Sequence, residues 1–283
     1  MGAMIGALNP ADPDVTKASV LHLKLEGVIF ESGDFLKKLK KYREDDQVKA
    51  IVIQINSPGG VVGPSQEIYE EVKRTRVKYK KPVVISAESL LASGAYYIAA
   101  GADKIVTNPG SLLGSIGVIM EFANLKDLYQ WAKIERFSLK TGAFKDTGAE
   151  YRAMRPEEKE YMQSTLNEVW EQFKKAVSEG RNLPLEKVEP YADGRIFTGA
   201  KAVELGFADK VGTLDDAILV AAELAGLGDD PEVFEPPKER PSVLEFLGQI
   251  SEESSFKRTL DDVWPLKLLG QPLFLYPGVR GLK

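Results

Sequence analysis

Hydrophobic residues follow two alternating patterns along the first two-thirds of the chain. Continuous apolar runs rich in β-branched residues occur in "KAIVIQINSPGG", "PVVISAES" and "DKIVTNP", and each predicts a buried strand. Between these runs, "GPSQEIYEEVKRTRVKYKK" shows helical spacing with a mixed-charge face, and "SGAYYIAAGA" is typical of a short buried helix. This order of elements predicts an α/β fold in which helices cover parallel strands.

Further elements are predicted on both sides of this series. Upstream, "SVLHLKLEGVIF" alternates apolar and polar residues as a strand does. Downstream, the patterns predict a strand-like segment and a helix in "LLGSIGVIMEFANLKDLYQWA", then an extended stretch in "ERFSLKTG". The longest helix is predicted in "RPEEKEYMQSTLNEVWEQFKKAVSEGRN", and a short strand with two helices in "DGRIFTGAKAVELGFADKVGTLDDAILVAAELAGL".

The composition changes after Gly228. Proline and charge dominate "DDPEVFEPPKERPS", which predicts an extended linker. The end of the chain, "VWPLKLLGQPLFLYPGVRGLK", is apolar and interrupted by prolines, and we expect it to pack on its own domain or on a neighbouring subunit. We therefore predict one domain over residues 17–228, followed by a linker and an apolar tail over residues 229–283.

Composition narrows the classes of function. The 283 residues are 43% hydrophobic and 28% charged, as in ordinary soluble globular proteins. The net charge of −5 argues against nucleic acid as the main partner, because phosphate binding needs a basic face. The absence of cysteine excludes disulfides, thiolate nucleophiles and iron–sulfur clusters. The sequence contains no run of about 18 uncharged apolar residues, so its patterns predict no membrane span.

His22 is the only histidine in the chain. A Ser-His-Asp triad would have to use it, and a polyhistidine metal site is impossible. Because it lies within an alternating strand pattern, we interpret it as a structural residue with one hydrogen-bonded ring nitrogen. The chemistry of this protein is therefore expected to do without imidazole.

Three glycine-rich turns, "NSPGGVVG", "ASGAYY" and "LLGSIGV", follow predicted buried strands. Parallel α/β sheets bind ligands beyond the carboxyl ends of their strands, where glycines let backbone amides approach a ligand. A phosphate cradle is one alternative, but neither standard phosphate-binding pattern occurs at the turn that contains Gly59 and Gly60. An oxyanion hole fits better, because it needs only exposed amides.

Ser93 has two possible roles in the second turn. As a helix N-cap, the more common role of such a serine, it would satisfy one free amide of the following helix. As a nucleophile, it would use its own amide or that of Gly94 to hold a developing oxyanion, and it would need a base. Without a suitable histidine, the base must be Lys, Asp or Glu, and Lys145 in "KTGAFKD" is one candidate. A lysine amine becomes usable as a base where burial disfavours its charged form, although most lysines are solvated surface residues.

Four ordered segments resemble bacterial signal peptide peptidase A, a family of Ser-Lys proteases with the Clp-protease/crotonase fold. These are "INSPGG", "SLLASGAYYIAAGADKIVTNPGSLLGSIGV", "KTGAFKD" and "DGRIFTGAKAVELGFADKVGTLDDAI". The likeness extends from about His22 to Leu227. One departure is Ala95, where the family commonly has a second glycine after its nucleophile.

The resemblance implies a role for each matching residue. The nucleophile falls on Ser93, the lysine base on Lys145, and a serine that orients the lysine on Ser115 of "GSIGV". The oxyanion amides fall on Gly60, with Gly59 beside it, and on Gly94. No metal or other cofactor is implied.

The resemblance also implies substrates, partners and a location. It implies a serine endopeptidase that degrades cleaved signal peptides and other extended apolar peptides, in a homo-oligomeric ring whose active sites are shared between subunits. We expect small or medium side chains beside the cleaved bond. The family's membrane anchor is not found here, and "MGAM" is typical of a vector-derived remnant. We therefore expect membrane attachment through a missing anchor, with the catalytic domain on the extracytoplasmic side.

Two other interpretations stay open at this point. A crotonase-fold enzyme acting on acyl-CoA thioesters would use a similar pair of amides, together with a carboxylate near the second glycine turn. Glu88 is the only nearby carboxylate. A non-catalytic assembly module of the same fold would use Ser93 only as a helix cap.

Overall fold

The computed structural model describes residues 15–237 and 272–275. In chain order, its strands are β1 Ser19–Glu26, β2 Val48–Ser57, β3 Gly59–Val61, β4 Val83–Ala92, β5 Lys104–Thr107, β6 Leu112–Gly114, β7 Ile196–Thr198, β8 Lys210–Val211, β9 Glu232–Phe234 and β10 Leu273–Leu275. Its helices are α1 Gly33–Arg43, α2 Val62–Val77, α3 Gly94–Ala100, α4 Lys126–Trp131, α5 Pro156–Arg181, α6 Leu185–Val188, α7 Gly199–Glu204 and α8 Leu214–Ala225.

The main sheet has the strand order β7-β6-β4-β2-β1-β9, and β5 pairs with β4 and with β8. All of these pairings are parallel except that of β6 with β7. Strand β4 changes partner along its length. Its first half, Val84–Ala87, pairs with β5, and its last residues, Leu90–Ala92, pair with β6. The end of β4 therefore lies beside the end of β6, where two of the glycine turns meet.

The two faces of the sheet bury different sets of side chains because strand residues alternate between faces. In β2, Ile51, Ile53 and Ile55 join the larger core cluster, which also holds residues of α1, α2, α3 and α5. Ala50 and Val52 point to the other face and pack in a smaller cluster with the alanines of α8. Helix α3 is buried along its whole length, as the run of small and apolar residues predicts.

The parallel α/β arrangement predicted from the hydrophobic pattern is confirmed. Among the elements that the sequence patterns do not predict, three bear on the packing of the domain. Helix α1 has no predicted counterpart, although Leu36, Leu39 and Tyr42 recur at helical spacing and are buried. Strand β9 lies in the predicted linker and pairs with β1, and β10 lies in the predicted tail and pairs with β3.

These two late strands affect the predicted division of the chain. The boundary after residue 228 stays a prediction, but residues 232–234 and 273–275 both contribute backbone pairs to the preceding domain. The remaining residues of the predicted linker and tail lie outside the described residues. Within the described part of the chain, no helix is both long enough and apolar enough to cross a membrane.

Candidate active site

Ser93 is the single residue between β4 and α3, and its backbone is strained. Its φ of 52° and ψ of −116° lie in a region that residues other than glycine rarely adopt. Two backbone hydrogen bonds hold this conformation: the Ser93 amide donates to the Gly114 carbonyl (2.7 Å), and the Ser93 carbonyl accepts from the Tyr97 amide (2.8 Å). A strained strand-to-helix turn of this kind projects a serine hydroxyl from the end of the sheet.

The Ser93 hydroxyl is buried without a partner. The residue is only 1% exposed, and its Oγ has no hydrogen-bond partner among the described residues. Ser93 occupies the N-cap position of α3, but its side chain accepts no capping hydrogen bond, so the helix-cap interpretation is wrong. A buried hydroxyl left without a partner costs about 1–3 kcal/mol, and such groups call for a functional explanation.

Ser115 occupies the equivalent position on the neighbouring strand. It follows β6 directly, is 5% exposed, and also has a positive φ, of 53°. Its amide donates to the Arg195 carbonyl (2.8 Å), which holds the turn in place. Since Ala92 is in register with Gly114, the structure brings Ser93 and Ser115 to adjacent strand ends.

The glycines of the first turn lie against the Ser93 turn. A Cβ built on Gly59 would come within 2.5 Å of the Gly94 nitrogen, and the φ of Gly59 is +92°. The Gly59 amide already donates to Ser57 Oγ (3.1 Å), so Gly59 supplies close approach and not a free donor. The Ile29 amide donates to the Gly59 carbonyl, and the Ile29 carbonyl accepts from the Val61 amide. Because the bonding side alternates along a strand, the Gly60 amide between them points to the opposite edge of β3.

Gly94 provides the second amide of the candidate oxyanion hole. It is the first residue of α3, and its amide has no hydrogen-bond acceptor among the described residues. Amides at a helix start have no partner within the helix and carry its partial positive charge. The structure therefore gathers Ser93, Ser115, Gly60 and Gly94 at one end of the sheet.

We predict that Gly59→Ala destabilises the protein by about 2 kcal/mol or more, because the new methyl group would need backbone atoms to move at a strained φ. Gly63→Ala is the matched control, since a Cβ at Gly63 meets nothing within 4 Å. We expect the control to stay within about 0.5 kcal/mol of the unchanged chain. Urea unfolding of the wild type, Gly59→Ala and Gly63→Ala measures the differences in the free energy of unfolding. Equal unfolding midpoints would contradict the close packing described around Gly59.

Lys145 lies apart from this group in the described chain. It is exposed in the loop between α4 and α5, and its amine makes no hydrogen bond or ion pair within the described residues. The loop is tied down beside it by Arg152, whose guanidinium bonds to Asp146 (2.7 Å) and to Glu158 (2.7 Å). Hydrogen bonding to Arg152 lowers the pKa of Glu158 to about 2 and holds that of Asp146 well below its usual range. The loop is thus anchored, but not at Ser93.

A large exposed apolar surface covers the same region. We call it the apolar loop surface; it consists of Phe122, Leu125, Leu128, Trp131, Ile134, Phe137, Leu139 and Phe144. Leu139 is 93% exposed, Trp131 81% and Phe137 74%. Eight large apolar side chains exposed within residues 122–144 are typical of an interaction site.

His22 and Glu88 are structural in this fold. His22 is buried on β1, its Nε2 lies 3.2 Å from the Gln54 Oε1, and burial lowers its pKa. This agrees with a strand residue that has one hydrogen-bonded ring nitrogen. Glu88 accepts a hydrogen bond from the same Gln54 side chain (3.3 Å). Neither side chain is hydrogen-bonded to Ser93.

Several residues of the site have no role in the sequence prediction. Ser57 holds the Gly59 amide, Arg152 and Glu158 anchor the loop of Lys145, and Phe274 packs at the glycine turn. Ser57 lies within the glycine-rich segment "NSPGG", so its position beside the turn could have been recognised from the sequence. The others meet their partners only through folding, so no local pattern marks them.

Comparison with known proteins decides the family. The profile of peptidase family S49 matches residues 75–228, which is more than half of the chain. The chain belongs to peptidase family S49. The S49 fold is Clp-protease/crotonase-like, so both the predicted resemblance and the predicted fold class are confirmed.

Individual relatives of this S49 chain carry protease names. A protein of Synechocystis sp. named as a candidate protease is 39% identical over 274 residues, covering 92% of this chain and 97% of that protein. A candidate signal peptide peptidase of Enterococcus faecium is 34% identical over 212 residues (70% and 61%). A chloroplastic serine protease of Arabidopsis thaliana is 30% identical over 249 residues (85% and 36%). The family and these relatives support a serine peptidase.

Proposed function

We propose that this S49 peptidase hydrolyses peptide bonds with Ser93 as nucleophile and Lys145 as general base. The observation that carries the proposal is the Ser93 hydroxyl, which is buried, unpartnered and held on a strained turn at the start of α3. Gly94 follows Ser93 directly, and Gly59 packs against the Gly94 nitrogen, so the amides of Gly60 and Gly94 are the donors proposed for the oxyanion hole. Ser115 on the adjacent strand end orients the lysine amine.

The reaction follows from these positions. The amine of Lys145 takes the proton of the Ser93 hydroxyl while Oγ attacks the peptide carbonyl carbon. The carbonyl oxygen becomes an oxyanion that accepts hydrogen bonds from the Gly60 and Gly94 amides. The protonated amine then gives its proton to the leaving nitrogen, and an acyl-enzyme remains. Water, deprotonated by the same amine, releases the acyl group.

We further propose that the Lys145 that serves each Ser93 comes from a neighbouring copy of this chain. Within one chain Ser93 Oγ has no partner among the described residues, and the Lys145 loop is exposed and anchored elsewhere. The apolar loop surface includes Ile134, Phe137, Leu139 and Phe144 of that same loop, and such an exposed surface is typical of an interaction site. A ring of identical subunits would bury this surface and complete the site in one step.

The substrates proposed are extended apolar peptides, including remnants of cleaved signal peptides. The name of the Enterococcus relative supports this class, and the extended strand β10 pairs with the glycine strand β3 as an extended peptide would. Such substrates are produced at the cell membrane, so we propose membrane association with the catalytic domain on the extracytoplasmic side. Fractionation of cells that express the natural protein tests this location.

The rival activities make different use of the same turn. An acyl-CoA thioester enzyme would need a carboxylate at the site, but Glu88 is hydrogen-bonded to Gln54, and Ser93 would be idle. A non-catalytic assembly module would use Ser93 as a cap, but the Ser93 side chain makes no capping hydrogen bond to α3. Neither alternative accounts for a strained, unpartnered hydroxyl.

We expect a fluorophosphonate probe to label wild-type protein at Ser93, because only an activated serine attacks this phosphorus centre. Peptide mapping by mass spectrometry locates the adduct, and hydrolysis of a quenched apolar peptide gives the turnover. Exposed Ser89, on the same strand, is the internal control and should stay unlabelled. Thioester hydrolysis without labelling of Ser93 would favour the acyl-CoA activity, and the absence of both reactions would favour the assembly module.

A further inference from the structure

The loop that carries Lys145 is fixed to the start of α5. Lys145 lies in consecutive tight turns: its amide donates to the Gly142 carbonyl (3.2 Å), and the Thr147 amide donates to the Phe144 carbonyl (3.1 Å). The ring of Phe144 packs against that of Tyr161 on α5, with centroids 5.4 Å apart. These contacts hold the residues on both sides of Lys145, whereas the lysine itself is exposed.

Glu158 is the centre of the hydrogen bonds that fix this loop. It lies in the first turn of α5 and is completely buried. Its carboxylate accepts hydrogen bonds from the Arg152 guanidinium (2.7 and 2.8 Å) and from the Thr147 hydroxyl (3.2 Å). It also accepts from the Arg155 amide (2.8 Å) and guanidinium (2.7 Å). The positive end of the helix dipole stabilises this carboxylate, so the start of α5 gives the loop a rigid support.

The same two arginines bond to the residues on either side of Lys145. Arg155 donates to the Ala143 carbonyl (2.6 Å). Arg152 donates to the Asp146 carbonyl (2.9 Å) and, through two nitrogens, to both carboxylate oxygens of Asp146 (2.7 and 3.0 Å). Paired bonds between a guanidinium and a carboxylate fix orientation as well as distance. The backbone is therefore held two residues before Lys145 and one residue after it.

These contacts also compensate the charge of Asp146, the carboxylate that follows Lys145 in the chain. Hydrogen bonds from Arg152 and Lys140 hold the pKa of Asp146 well below its usual range, so it is ionised throughout the neutral and alkaline range. A carboxylate paired with the Lys145 amine would favour the ammonium form, which cannot accept a proton. Among the described residues, the titratable groups that face Asp146 are Lys140, Tyr151 and Arg152 of the loop and, through Arg152, Glu158 of α5.

We infer that Arg152, held by Glu158, is a positioning residue for the Lys145 amine. It fixes the backbone from which the amine reaches the Ser93 hydroxyl, and it withholds the Asp146 carboxylate, so that the amine stays available to accept a proton. This inference rests on the proposed peptidase function, in which Lys145 is the general base. Buried ion pairs add little net stability, because desolvation offsets their attraction. A role in placing Lys145 explains why such a cluster lies beneath an exposed loop.

Removing either partner of the Arg152–Asp146 pair tests the inference, because the two changes have opposite effects on charge. Arg152→Gln should lower kcat by about 100-fold, as small displacements of a reacting group do, and leave KM within about threefold. It also frees the Asp146 carboxylate, so kcat should reach half of its maximum at a pH higher by about half a unit. Asp146→Asn removes that carboxylate, so the half-maximum should move to lower pH by about the same amount. Turnover of a quenched apolar peptide from about pH 6 to pH 10 measures both shifts.

Two further variants serve as controls. Arg152→Lys keeps the positive charge without the paired geometry, so it should recover part of kcat and restore the wild-type pH dependence. Arg74 forms an ion pair with Glu71 on α2 and is exposed, so Arg74→Gln should change neither kcat nor its pH dependence. The second control removes an arginine–carboxylate pair of the same kind from another part of the surface.

A purely structural role of Arg152 would give a different set of results. Arg152→Gln would then lower the fraction of folded, assembled protein, which circular dichroism and light scattering quantify, and each folded chain would keep the wild-type kcat and pH dependence. That result would overturn the inference. If Arg152→Gln does not fold, the shift of Asp146→Asn to lower pH tests the same charge effect, and its absence would overturn the inference.

Lys145→Ala separates this inference from the proposed function. Activity retained in Lys145→Ala would remove the lysine base and the positioning role together. Loss of activity in Lys145→Ala, with wild-type kcat and pH dependence in Arg152→Gln, would remove the positioning role alone and leave the proposed function in place.

Discussion

Ser93→Ala is expected to lower peptide hydrolysis by about 10⁴-fold or more while making the protein more stable by about 1 kcal/mol. The loss follows because no other group can form the acyl-enzyme. The gain follows because the Ser93 hydroxyl is 1% exposed and has no hydrogen-bond partner among the described residues, so its removal ends an unfavourable burial. Steady-state turnover of a quenched apolar peptide and urea unfolding measure the two effects on the same preparations.

Ser89→Ala is the matched control for this substitution. Ser89 is exposed on β4, four residues before Ser93, and its replacement should change neither turnover nor stability. Residual activity of Ser93→Ala within tenfold of wild type would rule out the nucleophile assignment. A loss of stability in Ser93→Ala would show that the hydroxyl has a structural partner, and would revive a role in shaping the turn.

Mixing two inactive variants should restore activity if neighbouring subunits share each site. Ser93→Ala and Lys145→Ala are each expected to be inactive alone. After they are unfolded, mixed in equal amounts and refolded together, about a quarter of the sites should pair an intact Ser93 with an intact Lys145 and so recover about a quarter of wild-type turnover. If one chain supplied both residues, no mixed assembly would contain a complete pair.

Lys159→Ala provides the control for the mixing experiment. Lys159 is exposed on α5 and its amine has no partner among the described residues, so this variant should behave as wild type does. Mixed with Ser93→Ala, it should give about half of wild-type turnover under the shared-site proposal. Light scattering must show that the chains co-assemble. Verified co-assembly without recovered turnover would place Lys145 and Ser93 in the same chain and leave the apolar loop surface without this explanation.

Local patterns were sufficient for much of the fold and for the choice of candidate site residues. The β-branched runs of β2, β4 and β5 predict buried strands because only such runs suit a strand covered on both faces. The positions of Ser93 after β4 and of Ser115 after β6 follow from the glycine turns, and the resemblance to signal peptide peptidase A is carried by contiguous segments. Helix α1 has no predicted counterpart, although its apolar residues recur at helical spacing along the sequence.

The sequence by itself therefore determined the α/β class, the S49 family and the residue types available for catalysis, because these depend on neighbours along the chain. Tertiary structure alone decided the state of the Ser93 hydroxyl, since its burial and its strained φ arise where β4 meets β6. It also decided that Phe274 lies at Gly59 and Gly94 and that Lys145 does not bond to Ser93 within the described chain. Such contacts join residues far apart in sequence, and burial and strand pairing across the whole fold select them.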